Sequence, residues 1–180
     1  MLAALRQLLD ERRFASLSVA DVIAAAGVSR ASFYFYFPSL QAVLAELVRR
    51  AVAQGREAAR PWTEGQVDPI EGLRAGIAAG AALWQENAGV LKAIVENWGS
   101  DDQLRELWLT QMQTFTAAAV ARIKTDPATK LHGPEVLLVA ATLTWTGERL
   151  YYLAALGEPP FDDRDTLVDT LTRMWVSALY

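Results

Sequence analysis

Ser18, Ser29 and Ser39 each stand directly before a stretch of helical character, and Gly27 and Pro38 end the first two of those stretches. No other feature restricts the fold of this chain so tightly. Ser18 and Asp21 have the spacing of a capping box, in which each side chain satisfies the other residue's backbone N–H at a helix start. Val19, Val22, Ile23 and Ala26 recur at helical spacing until Gly27, which permits the positive φ of a tight turn. The helix opened by Ser29 must stop before Pro38, because the residue preceding a proline is pushed out of the helical region. The spacing predicts a helix over 19–26, a turn at Gly27-Val28 and a second helix over 29–36. Two short helices joined by a glycine-containing turn form the helix-turn-helix unit, whose second helix enters the major groove of DNA. Ala24, Ala25 and Ala26 are small enough to let two helices cross closely.

At 100° per residue Phe33 and Phe37 share one face of the second helix and should pack inward. Ala31, Ser32 and Phe35 then lie outward, with Tyr34 and Tyr36 beside them. Ser29, Arg30 and Ser32 occupy the first turn, where recognition helices reach base edges, and an arginine there bonds guanine through two N–H groups. Ser18, Tyr34 and Tyr36 carry neutral donors suited to phosphate oxygens, contacts that orient a protein without reading sequence. The helix starts at Ser18 and Ser39 add backbone N–H groups. The expected DNA-contacting set is therefore Ser18, Ser29, Arg30, Ala31, Ser32, Tyr34, Tyr36 and Ser39. An aromatic run such as Phe33–Phe37 reads as core when met alone; the capped helix and turn before it shift the reading towards DNA.

A net charge of −4 argues against a nucleic-acid partner until it is divided along the chain. Residues 1–60 hold eight arginines against five acidic groups, a surplus of three, whereas residues 61–180 hold nine basic against sixteen acidic groups, a deficit of seven. A mildly basic head on an acidic body suits a protein that meets phosphates with the head alone. Strand-like alternation is absent, and apolar residues recur at helical spacing throughout, beginning with Leu2, Leu5, Leu8 and Leu9. A long helix is expected from Ser39 through Arg60, ended by Pro61, then a loop over Trp62–Asp68. Further helices are expected at 69–87, 89–97, 101–124, 134–156 and 163–179.

Other function classes find little support. The chain has no cysteine, hence no disulfide framework, thiolate nucleophile or zinc–thiolate site. Its one histidine, His132, sits in a loop-like stretch and reads as a solvated residue. Phosphate-binding glycine loops, His-x-x-x-His pairs and Gly-x-Ser-x-Gly elbows are absent. Asp101-Asp102 and Asp162-Asp163 fall at helix starts, where they complement the helix dipole. No apolar run approaches the roughly 20 residues that span a bilayer, and the N-terminus reads as an amphipathic helix rather than a signal sequence. The expectation is a cytoplasmic protein that is not an enzyme and needs no metal or cofactor.

The run GVSRASFYFYFPSLQAVL over Gly27–Leu44 resembles the signature of the TetR family of transcriptional regulators. Weaker likenesses at Glu106-Leu-Trp108, Gly147-Glu-Arg149 and the stretch from Trp175 to Tyr180 point to a subgroup whose body carries a long hydrophobic pocket. The resemblance implies an all-α fold: a three-helix helix-turn-helix DNA-binding domain over 1–45, then a helical-bundle ligand-binding and dimerisation domain over 46–180. It further implies a homodimer on a pseudo-palindromic double-stranded operator and a small hydrophobic effector. The chain departs from the family pattern at Leu40, where a phosphate-binding lysine is common. It also starts almost at its first helix, where a basic arm is usual, and a longer native N-terminus is expected.

By position in the resemblance the pocket would be lined by Leu73, Ile77, Gly80 and Trp84, by Trp108, Met112 and Phe115, and by Thr144, Glu148, Tyr152 and Trp175. Trp108, Met112 and Phe115 share one helix face, and the dense glycines and alanines at 76–82 and 117–119 suggest unfilled volume opposite the aromatics. Glu148 and Arg149 point about 100° apart, so at most one faces such a pocket; a surface pair or an interface salt bridge accounts for them equally well. Leu143, Leu150, Leu153, Leu167, Leu171 and Ala178 exceed what one bundle face requires and resemble the family's dimer interface on the last two helices. Three readings follow: a repressor released by an apolar ligand, a DNA-binding protein with a closed core, and a helical carrier of an apolar ligand without effective DNA binding.

Overall fold

A computed structural model describes residues 1–65 and 68–180; Gln66 and Val67, inside the expected 62–68 loop, lie outside the described residues. Among the described residues there are nine α-helices, a 3-10 turn at Phe14–Ser16 and no strand. The helices are α1 (Leu2–Glu11), α2 (Val19–Ala26), α3 (Arg30–Tyr36), α4 (Leu40–Thr63), α5 (Pro69–Glu86), α6 (Ala88–Asn97), α7 (Asp102–Thr125), α8 (Glu135–Leu156) and α9 (Arg164–Leu179).

The chain packs as two compact units, Met1–Val52 with Asn87–Leu109, and Ala53–Glu86 with Thr110–Tyr180. The packing thus divides elsewhere than the sequence motif, which suggested a boundary at residue 45. The reason lies in α6, where Val90, Leu91, Ala93, Ile94 and Val95 are all buried and which packs on α1. Leu5, Val22, Phe33, Val43, Leu44, Val48, Leu91, Ile94 and Leu104 are fully buried in this first unit. Gly89 brings α6 against α1: a Cβ there would stand 2.9 Å from the Leu9 carbonyl oxygen and 3.0 Å from its carbon. Those neighbours are backbone and cannot swing aside. Gly89→Ala is therefore expected to lower the melting temperature. Overpacking costs about 1–3 kcal/mol and outweighs the at most roughly 1 kcal/mol of helix propensity gained; a raised melting temperature would contradict the close contact.

In the second unit α5, α8 and α9 pack on one another. Leu73, Ile77, Ile123, Val136, Ala140, Leu167, Val168, Leu171 and Leu179 form one buried cluster. The Tyr151 hydroxyl donates to the Ile77 carbonyl at 2.9 Å; burial raises its pKa, so it stays a neutral donor. A buried polar group closes the end of α7. Arg122 donates through Nε to the Trp62 carbonyl at 3.0 Å and pairs with Asp126 at 3.0 Å, while Tyr180 donates its hydroxyl to Asp126 at 2.6 Å.

Pro61 does not end α4. The helix runs on to Thr63 with the proline inside its last turn. Both Pro61 and Glu57, the residue whose carbonyl loses its N–H partner, are exposed, so water can solvate that oxygen. The extra turn carries Trp62 into the core, edge-on to Trp175 with ring centroids 5.8 Å apart. The alanines of α2 differ from expectation as well. Ala24 and Ala25 are exposed and Ala26 half-buried, so the helix is anchored through Val22 instead.

Candidate nucleic-acid interface

Ser18 accepts from the Asp21 N–H at 3.3 Å, and Asp21 accepts from the Ser18 N–H at 2.8 Å, which completes the capping box of α2. The Ser18 hydroxyl also donates to the Asp21 carboxylate, and Arg12 donates to that carboxylate at 2.9 Å. These bonds, the Ser18 hydroxyl first, hold the Asp21 carboxyl well below the ordinary carboxylate range. Asp21 is thus ionised wherever the protein works, with Arg12 offsetting its charge.

Gly27 turns the chain at φ 62°. Its N–H and that of Val28 bond back to the Ala24 and Ile23 carbonyls, closing the end of α2. Ser29 then caps α3, its Oγ accepting from the Ser32 N–H at 3.0 Å. Ser39 caps α4 in the same way, accepting from Ala42 at 3.1 Å.

The wheel expected from sequence is the one observed. Phe33 is fully buried, its ring 6.3 Å from that of half-buried Phe37. Ser29, Arg30, Ala31, Ser32, Tyr34, Phe35 and Tyr36 are all exposed. The guanidinium of Arg30 lies over the ring of Tyr34, 5.5 Å from its centroid. Hydroxyl direction sorts the serines in a way no sequence pattern could. The Ser18 proton is engaged by the Asp21 carboxylate, and the Ser29 and Ser32 hydroxyls share one hydrogen bond at 3.0 Å, which leaves one proton of that pair for a further acceptor. A phosphate oxygen accepts hydrogen bonds and does not donate them. Ser39, which acts as the acceptor in its cap, keeps its own proton for an incoming oxygen. Leu40 is buried, so its side chain faces the core and offers nothing to phosphate.

The residues expected to line a ligand pocket are less unified. Trp108 belongs to the first unit and the other ten to the second. Trp84 and Tyr152 meet edge to face at 6.4 Å, with the Arg149 guanidinium 5.1 Å above the Tyr152 ring. Glu148 is buried and Arg149 exposed, as their angular separation requires. Leu73, Ile77 and Trp175 join the buried cluster. Met112 is buried, and the half-buried Phe115 ring lies near Gly55 of α4, beside Leu83. Thr144 turns its hydroxyl back to the Ala140 carbonyl. Gly80 is a contact rather than a vacancy: a Cβ on it would stand 3.0 Å from the Tyr151 hydroxyl. Sequence reasoning passed over Trp62, which the neighbouring proline placed in a loop, and over Tyr151 as the residue that meets Gly80.

Expectation and structure also differ on the outer face of the last two helices. Leu143, Leu167 and Leu171 are buried within the second unit, and Leu150, Leu153 and Ala178 are half-buried. The apolar groups that face outward are Leu137, Leu138 and Leu156 of α8 and Met174 of α9. Leu138, Trp145, Tyr152 and Leu156 recur at helical spacing, which aligns them along one side of α8. Among the described residues no helix is long and apolar enough to cross a membrane, and no cluster of His, Asp and Glu could hold a metal ion.

The family model for bacterial regulatory proteins of the tetR family matches residues 1–47, and that for the C-terminal domain of the transcriptional regulator EthR matches residues 73–180. The HTH-type transcriptional regulator EthR of Mycobacterium tuberculosis H37Rv is 33% identical over 184 residues, covering 100% of this chain and 85% of that protein. Its counterpart in Mycolicibacterium smegmatis is 31% identical, with 100% and 84% covered. Among solved structures, Salmonella enterica GusR superposes with a TM-score of 0.79 at 21% identity over 99% of this chain and 92% of that one. A TetR-like transcriptional regulator from Rhodococcus gives 0.73 at 18% over 98% and 93%. At such identities the structural likeness speaks for the fold alone.

Proposed function

The chain belongs to the TetR family of bacterial transcriptional regulators and carries its helix-turn-helix DNA-binding domain; from that premise we propose a repressor that leaves its operator when a small hydrophobic ligand occupies its body. The observation that carries the DNA half of this reading is the outward face of α3. On it Arg30, Ser32, Tyr34 and Tyr36 are exposed together while Phe33 alone anchors the helix. Arg30 and Ser32 read base edges, Ser29 and Ala31 approach them from the same turn, and Tyr34, Tyr36, Ser39 and the α2 start at Ser18 hold the backbone. The ligand half draws support from the match of residues 73–180 to the EthR C-terminal domain. We place the ligand within the second unit, beside Ile77, Trp84, Met112, Phe115, Thr144, Glu148 and Tyr152. Two copies associate through the outward apolar side chains of α8 and α9, setting two recognition helices about one DNA turn, roughly 34 Å, apart.

One binding assay tests both halves, with duplexes drawn from the DNA beside the protein's own gene. Wild-type binding should weaken steeply with salt, as cationic contacts to phosphate require. Arg30→Ala should cost about 1–3 kcal/mol of discrimination at one base pair per half-site. Tyr34→Phe, which keeps the ring under Arg30 and removes only the hydroxyl, should weaken every sequence alike by about 1 kcal/mol. Elongated apolar compounds should raise the melting temperature and release the duplex. Salt-independent binding, or a uniform loss from Arg30→Ala, would overturn the interface; compounds that stabilise the protein without releasing DNA would overturn the ligand mechanism.

A further inference from the structure

Phe35 is 81% exposed, more than any other large hydrophobic residue described. It does no work in the core. Phe33, two residues earlier, fills the interior, and the nearest ring to Phe35 is that of exposed Tyr36, edge-on at 5.0 Å. A phenyl group left in water forgoes about 1.5–3 kcal/mol of burial, which a partner surface that covers it can recover. Ala31, one helical turn before Phe35, is exposed on the same side. Together they make an apolar ridge along α3, with Arg30 and Ser32 beside it as polar donors.

The ridge belongs to the face that approaches the major groove, and that groove displays one apolar group only, the 5-methyl of thymine. Every other base edge there offers a donor or an acceptor. The arginine surplus of residues 1–60 favours a polyanion over a second protein copy at this surface. We propose that Phe35, with Ala31 beside it, is a specificity-determining residue that packs on a thymine methyl in each operator half-site. This rests on the DNA-binding reading and adds to it a base that the operator must contain.

The probe is a duplex selected from a random-sequence library by the wild-type protein, in which each thymine is then replaced singly by uracil, removing the methyl and nothing else. One thymine per half-site should be sensitive. Its replacement should weaken wild-type binding roughly fourfold per half-site, the value of one buried methyl group. Phe35→Ala should bind the thymine and uracil duplexes equally and keep the wild-type melting temperature; Phe35→Leu should restore part of the preference. Uracil substitutions felt alike by wild type and Phe35→Ala, or a selected sequence with no fixed thymine, overturn the proposal while leaving DNA binding intact. A wild-type protein that selects no duplex overturns the DNA-binding reading itself. Phe35→Ala that loses self-association rather than base preference assigns the ridge to a second copy and overturns it too.

Discussion

Phe33→Ala should abolish DNA binding at every salt concentration, because it removes the only side chain of α3 that is fully buried. Deleting a phenyl ring from a packed core costs about 3–5 kcal/mol, a large part of the 5–15 kcal/mol that holds a typical domain together. A helix of seven residues cannot persist without tertiary support, so the base-reading face is lost with its anchor. Amide exchange of α2 and α3 measures this directly: their protection should collapse in Phe33→Ala. In Phe35→Ala, two residues away on the exposed side, it should remain. A Phe33→Ala protein with native protection and native operator affinity would show that the helix is held by something other than this ring.

These local relations are legible in the amino-acid sequence itself. A serine cap, a glycine turn and a proline stop act within a few residues, and the 100° step places Phe33 and Phe35 on opposite faces without knowledge of the rest. Where sequence reasoning went wrong, the deciding interaction was distant in the chain. Pro61 reads as a helix end because its cost is local, whereas burial of Trp62 against Trp175 offsets that cost from more than a hundred residues away. Leu143, Leu167 and Leu171 read as interface because apolar count does not distinguish a face turned to α5 from one turned outward. Gly80 read as empty space, and only the path of α8 shows that Tyr151 fills it. The outward positions on α3 were legible, but the bonds that engage the Ser18 proton and leave that of Ser39 available were not.

The second large effect is expected at Arg122→Ala. Arg122 and Asp126 are 8% and 5% exposed, and removing the cation leaves an ionised carboxylate buried. Breaking such a pair from one side costs about 3–5 kcal/mol, far more than the pair's net worth against apolar replacements. Two controls make the reading specific. Arg122→Ala with Asp126→Asn should recover much of the loss, since asparagine leaves no buried charge, its carbonyl oxygen can accept from the Ala128 N–H, and its NH2 can donate to the Tyr180 hydroxyl oxygen. The pH dependence should also change. In the native protein burial pushes the Asp126 pKa up, but the Tyr180 hydroxyl, the Ala128 N–H and Arg122 outweigh it, and the result lies below the ordinary value. A depressed folded pKa contributes stability above the unfolded value near 4, lost as pH falls through the folded one. Without Arg122 the folded pKa rises, so the variant's deficit should be largest at neutral pH and shrink in acid. Denaturant titrations at several pH values check this, and a deficit independent of pH would assign the loss to packing.

The contact between Arg30 and Tyr34 bears on how fast and how faithfully an operator can be found. An arginine free to sample its rotamers must surrender about 2 kcal/mol of side-chain entropy when it seats on a base. Resting on the Tyr34 ring, Arg30 has given up part of that freedom beforehand. For an Arg30 that reads a base as proposed, less ordering then remains for the encounter itself, and more of the hydrogen-bond energy appears as discrimination. A head with one arginine in its reading turn gains most from such preorganisation, since no neighbouring cation can compensate for a guanidinium that arrives in the wrong pose.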